Sequence, residues 1–162
     1  MVALQGELIN LRSLKFEDLA FLYSLENNKS LWELSQTQKT FSKEVLRNYL
    51  DTAQRDIQET TQLRLLIISK ANEPMGFIDL FDYTTDSAGV GVIIAKNYRR
   101  RGFAKEALKL LNIYSFETLN FKKLDCNIEK DNLASIKLFT SCGFELQREK
   151  KELQYFVKLA KK

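Results

Sequence analysis

Between Leu63 and Ile94 the chain carries three short apolar runs, LRLLIIS, GFIDLFDY and AGVGVIIA, separated by ANEPM and TTDS. Runs of this length bounded by turn-forming residues are too short for helices and read as an antiparallel meander. Helical spacing flanks the meander on both sides. Phe16 to Asn27 places apolar residues at Phe16, Leu19, Ala20 and Tyr23, and Ser42 to Gln58 opens on the N-cap type Ser42 before a stripe of Val45, Leu46, Tyr49, Leu50 and Ala53. After the meander come a helix from about Gly102 to Leu119, a strand LDCNI, a helix from Asp131 to Cys142 and a strand-rich ending from Phe144 to Leu159; residues 6 to 13 supply a first strand. The order predicts an α+β fold around a mixed central sheet.

The chain has 162 residues, 44% of them hydrophobic and 28% charged, enough for one sizeable core and too few for two comfortable domains. One proline and six glycines leave no linker, so a single domain over residues 1 to 162 is expected. No run approaches the eighteen or so apolar residues of a membrane span, and MVALQGELINLRSL alternates and carries charge early. A cytoplasmic protein that does not engage a membrane is the expectation. Cys126 and Cys142 lie in the apolar contexts LDCNI and FTSCGF, where free thiols pack as small hydrophobes.

There is no histidine. That absence removes Ser-His and Cys-His dyads and leaves too few soft ligands for a zinc site, so no metal is expected. Chemistry falls to carboxylates, hydroxyls, cations and backbone amides. The net charge of +4 and pI near 9.0 are mild and do not by themselves argue for nucleic acid.

The segment GVIIAKNYRRRGFAKEALKLL runs from a buried strand through a basic loop with one glycine into a helix. A helix start offers unpaired N–H groups and the positive end of the macrodipole, and Gly102 allows close approach, so the loop is suited to an anion. Arg99, Arg100, Arg101, Lys96 and Lys105 supply more positive charge than one phosphate needs, and a ligand with several phosphates is implied. The simpler reading is a solvated run of arginines on a loop.

The spacing Arg99-x-x-Gly102-x-Ala104 resembles the Q/R-x-x-G-x-G/A signature of the GNAT N-acetyltransferases. Asn132-Leu133-Ala134-Ser135 leading into LFTSCGF resembles that family's N-x-x-S/A…L-F/Y-x-x-x-G-F segment. The order of elements agrees from residue 6 to about 159, and the nearest branch holds ribosomal-protein N-terminal and spermidine acetyltransferases. The resemblance implies a mostly antiparallel sheet flanked by helices, splayed between the fourth strand, Val90 to Ile94, and the fifth, Lys123 to Ile128. Acetyl-CoA is the implied cosubstrate, its pantetheine arm pairing with the backbone of Val92, Ile93 and Ile94. Arg99, Arg100, Arg101, Gly102, Phe103 and Ala104 would hold its pyrophosphate, and Lys105 and Lys137 its outer phosphates. Asn132 would bond the arm and Ser135 would lie near the thioester sulfur. Beside these implications, Gly89 and Gly91 mark a bulge, a close approach or tight sheet packing, and Asn132 and Ser135 otherwise read as ordinary capping residues behind a cap at Asp131.

Acetylating an amine requires a neutral nitrogen, a stabilised oxyanion and protonation of the departing thiolate. A lysine-like amine has a pKa of roughly 10.4, so a carboxylate or water relay must take its proton. Asp79 and Asp82 on the third strand and Glu129 at the end of the fifth are candidates, and Glu33 would line the substrate side; each also reads as a surface carboxylate. Together they would attract a cationic acceptor such as a polyamine or a protein N-terminus. Many relatives place a tyrosine where this chain has Phe139, and a phenyl ring cannot donate a proton, which shifts the general acid to Ser135 or water, with Tyr98, Tyr114 and Tyr155 behind them. Two other classes remain open at this point: a non-catalytic acyl-CoA sensor, and an RNA-binding module using Tyr98 and Phe103 as stacking surfaces, although the cations are confined to one loop and one helix start. A homodimer through the C-terminal strand is a further expectation.

Overall fold

In a computed structural model, residues 2–26 and 62–161 are described. The predicted helix over Ser42 to Gln58 and the substrate residue Glu33 lie outside the described residues. Eight strands form one sheet: β1 Ala3–Gln5, β2 Ile9–Ser13, β3 Gln62–Ser69, β4 Pro74–Phe81, β5 Ser87–Ile94, β6 Lys123–Glu129, β7 Glu145–Lys150 and β8 Leu153–Leu159. Their spatial order is β1-β2-β3-β4-β5-β6-β8-β7. A 3₁₀ turn, Phe16–Asp18, leads into α1, Leu19–Glu26; α2 spans Phe103–Ile113 and α3 spans Leu133–Ser141.

The predicted meander is β3, β4 and β5, antiparallel throughout, with a register shift at Ile67/Ile68. Alternation sends Leu63, Leu65, Ile67, Ile78, Leu80 and Val90 to one face, where they meet Ala107, Leu108 and Leu111 of α2 and Phe139 of α3. Full burial of Leu108 and Leu111 contributes about 1.5–3 kcal/mol each. Leu66 and Phe77 point the other way, and Phe21 of α1 packs on Phe77 with ring centroids 5.4 Å apart. The sheet is thereby covered on both faces.

The first expected strand is two. Residues 6–8 turn back between β1 and β2, with Gly6 N–H donating to the Ile9 carbonyl at 2.9 Å. This extra strand moves the expected splay to β5 and β6. α2 starts one residue later than predicted and widens into a π turn at Tyr114–Thr118. α3 is capped by Asn132, whose Oδ1 accepts from Ser135 N–H at 3.2 Å, and not by Asp131. In α1 the expected apolar position Ala20 is exposed while Leu25 is buried.

The C-terminal strand is not an edge: β8 pairs with β6 on one side and β7 on the other. Its ladder is already full, which corrects the expectation that it joins subunits. The edge on this side of the sheet is β7, all of whose residues are exposed and whose sequence ELQREK is largely charged, a composition that discourages strand-to-strand association.

Candidate active site

β5 and β6 are parallel neighbours only at Ser87↔Lys123, Ala88↔Leu124 and Gly89↔Asp125. Beyond Gly89 the strands part, so the ladder groups of Val90 to Ile94 that would face β6 have no strand opposite them. Unpaired backbone of this kind inside a fold requires a partner. α3 crosses the opening, and Val90, Gly91 and Val92 of β5 share a cleft with Cys126 to Glu129 of β6 and Asn132, Ser135 and Phe139. At about 70 Å³ it is a slot for a narrow chain and not a bowl for a ring system.

At the far end of β5 the chain enters the basic loop. Arg99 folds back, its Nε donating to the Ile94 carbonyl at 3.0 Å. Arg100 and Gly102 both adopt left-handed backbone, φ 63° and 82°. Successive N–H groups in a loop that alternates hand converge into an anion-binding concavity. The first intrahelical bond of α2 is Glu106 N–H to Gly102 O at 3.2 Å, which leaves the amides of Phe103, Ala104 and Lys105 without a helical acceptor. A β-carbon on Gly102 would meet only Leu8, at 4.0 Å, so the approach is open. Arg101 lies over the Phe103 ring at 5.2 Å, and Lys105 is exposed beside it.

Glu106 fixes this loop from below. Its Oε2 accepts from Leu8 and Ile9 N–H, both at 2.7 Å, and its Oε1 from Glu7 N–H at 3.2 Å. One carboxylate in the first turn of α2 thus binds the β1–β2 turn to the helix start, where negative charge is also favoured by the helix dipole. Nothing in the local sequence announces this, because the partners lie nearly a hundred residues apart.

The structure brings Val92, Glu129, Asn132 and Ser135 together at the cleft. Ile93 and Ile94 follow on β5 toward the basic loop, the Ile93 carbonyl turned to Gly76 of β4 and the Ile94 carbonyl taken by Arg99, and Lys137 is exposed on α3. Asp79 is held in a two-pronged ion pair, Arg64 Nε to Oδ1 at 2.7 Å and Arg64 Nη2 to Oδ2 at 2.9 Å. It stands behind Gly91, where a β-carbon would lie 3.9 Å from Asp79 Oδ2. Asp82 is not on a strand: β4 ends at Phe81, and Asp82 is an exposed turn residue at φ 46°. Gly89 and Gly91 do not bulge; they sit in regular register opposite Phe81 and Asp79, and Gly89 lies under the Phe81 ring. Two phenols are engaged elsewhere: Tyr98 donates to Glu73 at 3.1 Å, a bond that raises its pKa above the ordinary 10.0, and Tyr155 donates to Asp125 at 3.0 Å.

Comparison with known sequence families decides among the classes. The model of the acetyltransferase (GNAT) domain matches residues 9–145. This chain belongs to the GNAT acetyltransferase family. It transfers an acetyl group from acetyl-CoA to an amine. A spermidine N(1)-acetyltransferase of Vibrio cholerae is 25% identical over 138 residues, 84% of this chain and 78% of that protein. A crystal structure of spermidine N-acetyltransferase from Vibrio cholerae with CoA and spermine superposes with TM-score 0.84 at 21% identity, covering 93% of this chain and 95% of that one. A putative ribosomal-protein-serine acetyltransferase from Vibrio cholerae superposes with TM-score 0.77 at 19% identity, covering 98% and 97%. No helix of the described residues is long and apolar enough to cross a membrane.

Within this GNAT cleft, Cys126 is the one thiol. Burial, followed by the charge of Asp125, pushes its pKa up to about 12, so it stays protonated across the working range. A protonated thiol is a poor nucleophile, and transfer through an acetyl-cysteine is disfavoured. Mass spectrometry after incubation with acetyl-CoA and no amine is expected to show unmodified Cys126 at pH 8; an acetylated Cys126 turning over on addition of amine would contradict this.

Proposed function

We propose that the cleft between β5 and β6 is where a primary amine attacks acetyl-CoA directly, and that the named residues divide the work as follows. The amides opening α2, with Arg100 and Arg101, hold the pyrophosphate, and Lys105 and Lys137 neutralise the outer phosphates. Arg99 braces the loop through the Ile94 carbonyl. Over Val92, Ile93 and Ile94, the backbone groups that face away from β4 and are not taken by Arg99 bond the pantetheine amides. Asn132 spends its Oδ1 on capping α3, which leaves its amide N–H groups for the arm.

Acetyl-CoA supplies an activated acyl group with a thiolate leaving group. Ser135, on the first turn of α3 and lining the cleft, is placed to return a proton to that thiolate. Glu129, at the end of β6 on the same cleft, is placed to take the amine proton directly or through one water. Asp79 is not free to take that proton, because both its oxygens are occupied by Arg64. Phe139 is 3% exposed and packs edge-on against Phe144 at 5.0 Å, so it closes the slot to water without donating a proton.

The single observation that carries this reading is the cleft itself: a strand edge with no partner, facing Glu129, Asn132 and Ser135 and ending at an anion-receptive helix start. The relatives named for spermidine acetylation support an amine acceptor, and both polyamines and protein N-termini fall in that class. Thiol release from acetyl-CoA across polyamines, amino acids, aminoglycosides and peptides with free N-termini tests it; silence across the whole panel would favour an acyl-CoA sensor. Ser135→Ala is expected to lower kcat by roughly 10- to 100-fold with KM for acetyl-CoA unchanged. An unchanged kcat would remove Ser135 from the mechanism.

A further inference from the structure

A second cavity, of about 490 Å³, opens beside the β7–β8 turn. Asn127 and Tyr155 are cross-strand partners, as are Tyr155 and Arg148. Their neighbours Cys126, Ile128 and Phe156 point into the core beneath α2 and α3, so this row occupies the opposite face of the sheet. Asn127 lines both the cavity and the catalytic cleft, so the two spaces adjoin at this residue.

Among the described residues that line it, the charge of the cavity is unbalanced. Arg148, Lys150 and Lys151 line it against one carboxylate, Glu152, and none of the three cations has an ion-pair partner among the described residues. The neighbouring Glu149 is already engaged by Lys130 at 3.5 Å and by Gln154 Nε2 at 2.7 Å. Arg148 is also held in place: its guanidinium lies 4.4 Å over the Tyr155 ring, and the Tyr155 hydroxyl is fixed on Asp125. An ordered guanidinium beside two lysines is a receptor for a carboxylate or phosphate, and it repels a polycation.

We propose that the acceptor is an amine that carries an anionic group at its other end, the amine entering the cleft at Asn127 and the anion resting on Arg148. This rests on the reading of the cleft as the transfer site. Strands spaced by about 4.8 Å put the backbones of Arg148 and Asn127 roughly 10 Å apart, with the guanidinium leaning over Tyr155 between them, so a chain of up to about six carbons spans the two. Spermidine, the acceptor for which the relatives are named, presents an ammonium where this chain presents three cations.

The test compares 6-aminohexanoate, 6-aminohexyl phosphate, 1,6-diaminohexane and spermidine as acceptors. One of the two anionic amines is expected to exceed the diamine by about tenfold or more in kcat/KM, and which one does so separates carboxylate from phosphate recognition. Arg148→Gln with Lys151→Asn is expected to erase that preference with KM for acetyl-CoA unchanged; Asn suits the φ of 54° at position 151. Turnover that favours the diamine or spermidine, or shows no preference, leaves the transfer reading standing and overturns this one. If none of the four turns over, calorimetric binding of each anionic amine to the CoA-loaded enzyme decides: binding lost in the double variant supports the anion site and tells against the transfer reading, and no binding overturns the anion site.

Discussion

Arg101→Glu combined with Gly102→Asp is expected to abolish measurable acetyl-CoA binding while leaving the thermal transition within a few degrees of the parent. The change places two carboxylates where the amides of Phe103, Ala104 and Lys105 open toward solvent. A charge-assisted hydrogen bond is worth about 1.5–3 kcal/mol, so losing one and adding repulsion amounts to roughly 100-fold or more in affinity. The fold should tolerate it. Arg101 and Gly102 are both exposed, and the space about Gly102 is open apart from Leu8. The left-handed φ of 82° is awkward for aspartate but costs only about 1 kcal/mol. Isothermal titration beside a circular-dichroism melt reads both quantities, and unchanged affinity would move the phosphates to another part of the molecule.

Gly76→Ala is expected to destabilise the fold far more than its single carbon suggests. Gly76 pairs with Ile94 across the β4–β5 ladder, and a β-carbon there would collide with the Ile93 carbonyl oxygen and crowd the Ile94 Cα at 2.9 Å. Those are backbone atoms, so no rotamer change relieves them. Overpacking of this kind costs about 1–3 kcal/mol or more, which for a chain of this length lowers Tm by roughly 2–12 °C. The displaced backbone is also the edge proposed to bond the pantetheine arm. A raised Kd for acetyl-CoA should therefore accompany the lower Tm, measured at a temperature where both proteins are folded. A variant as stable as the parent would show that β5 does not approach β4 as closely as described.

The meander, α2 and α3 were legible in the sequence because their signals are local: apolar runs with turn residues between them, and helical spacing after Gly102 and after Asn132. The basic loop leading into α2 was legible because arginines, glycine and a helix start coincide within a few residues. The features that escaped join distant positions. Glu106 looks like an ordinary first-turn acid until the β1–β2 turn is folded onto it. Asp79 reads as a free carboxylate until strand register sets Arg64 opposite. The cation-lined cavity needs Asn127, Arg148 and Tyr155 from three strands, and no pattern along the chain marks them as neighbours. One other error is short in reach: Asn132 displaced Asp131 as cap because Oδ1 of Asn132 finds the Ser135 amide. Of the readings open for Gly89 and Gly91, close packing under the side chains of β4 holds and a bulge does not.

The measurement that bears most directly on the central claim is a crystal structure of the chain with coenzyme A. The account predicts pyrophosphate density against the amides of Gly102 to Lys105, with the pantetheine arm running between β5 and β6 past Asn132 to Ser135. Clear density for the bound coenzyme anywhere else, with the slot between β5 and β6 empty, would contradict it.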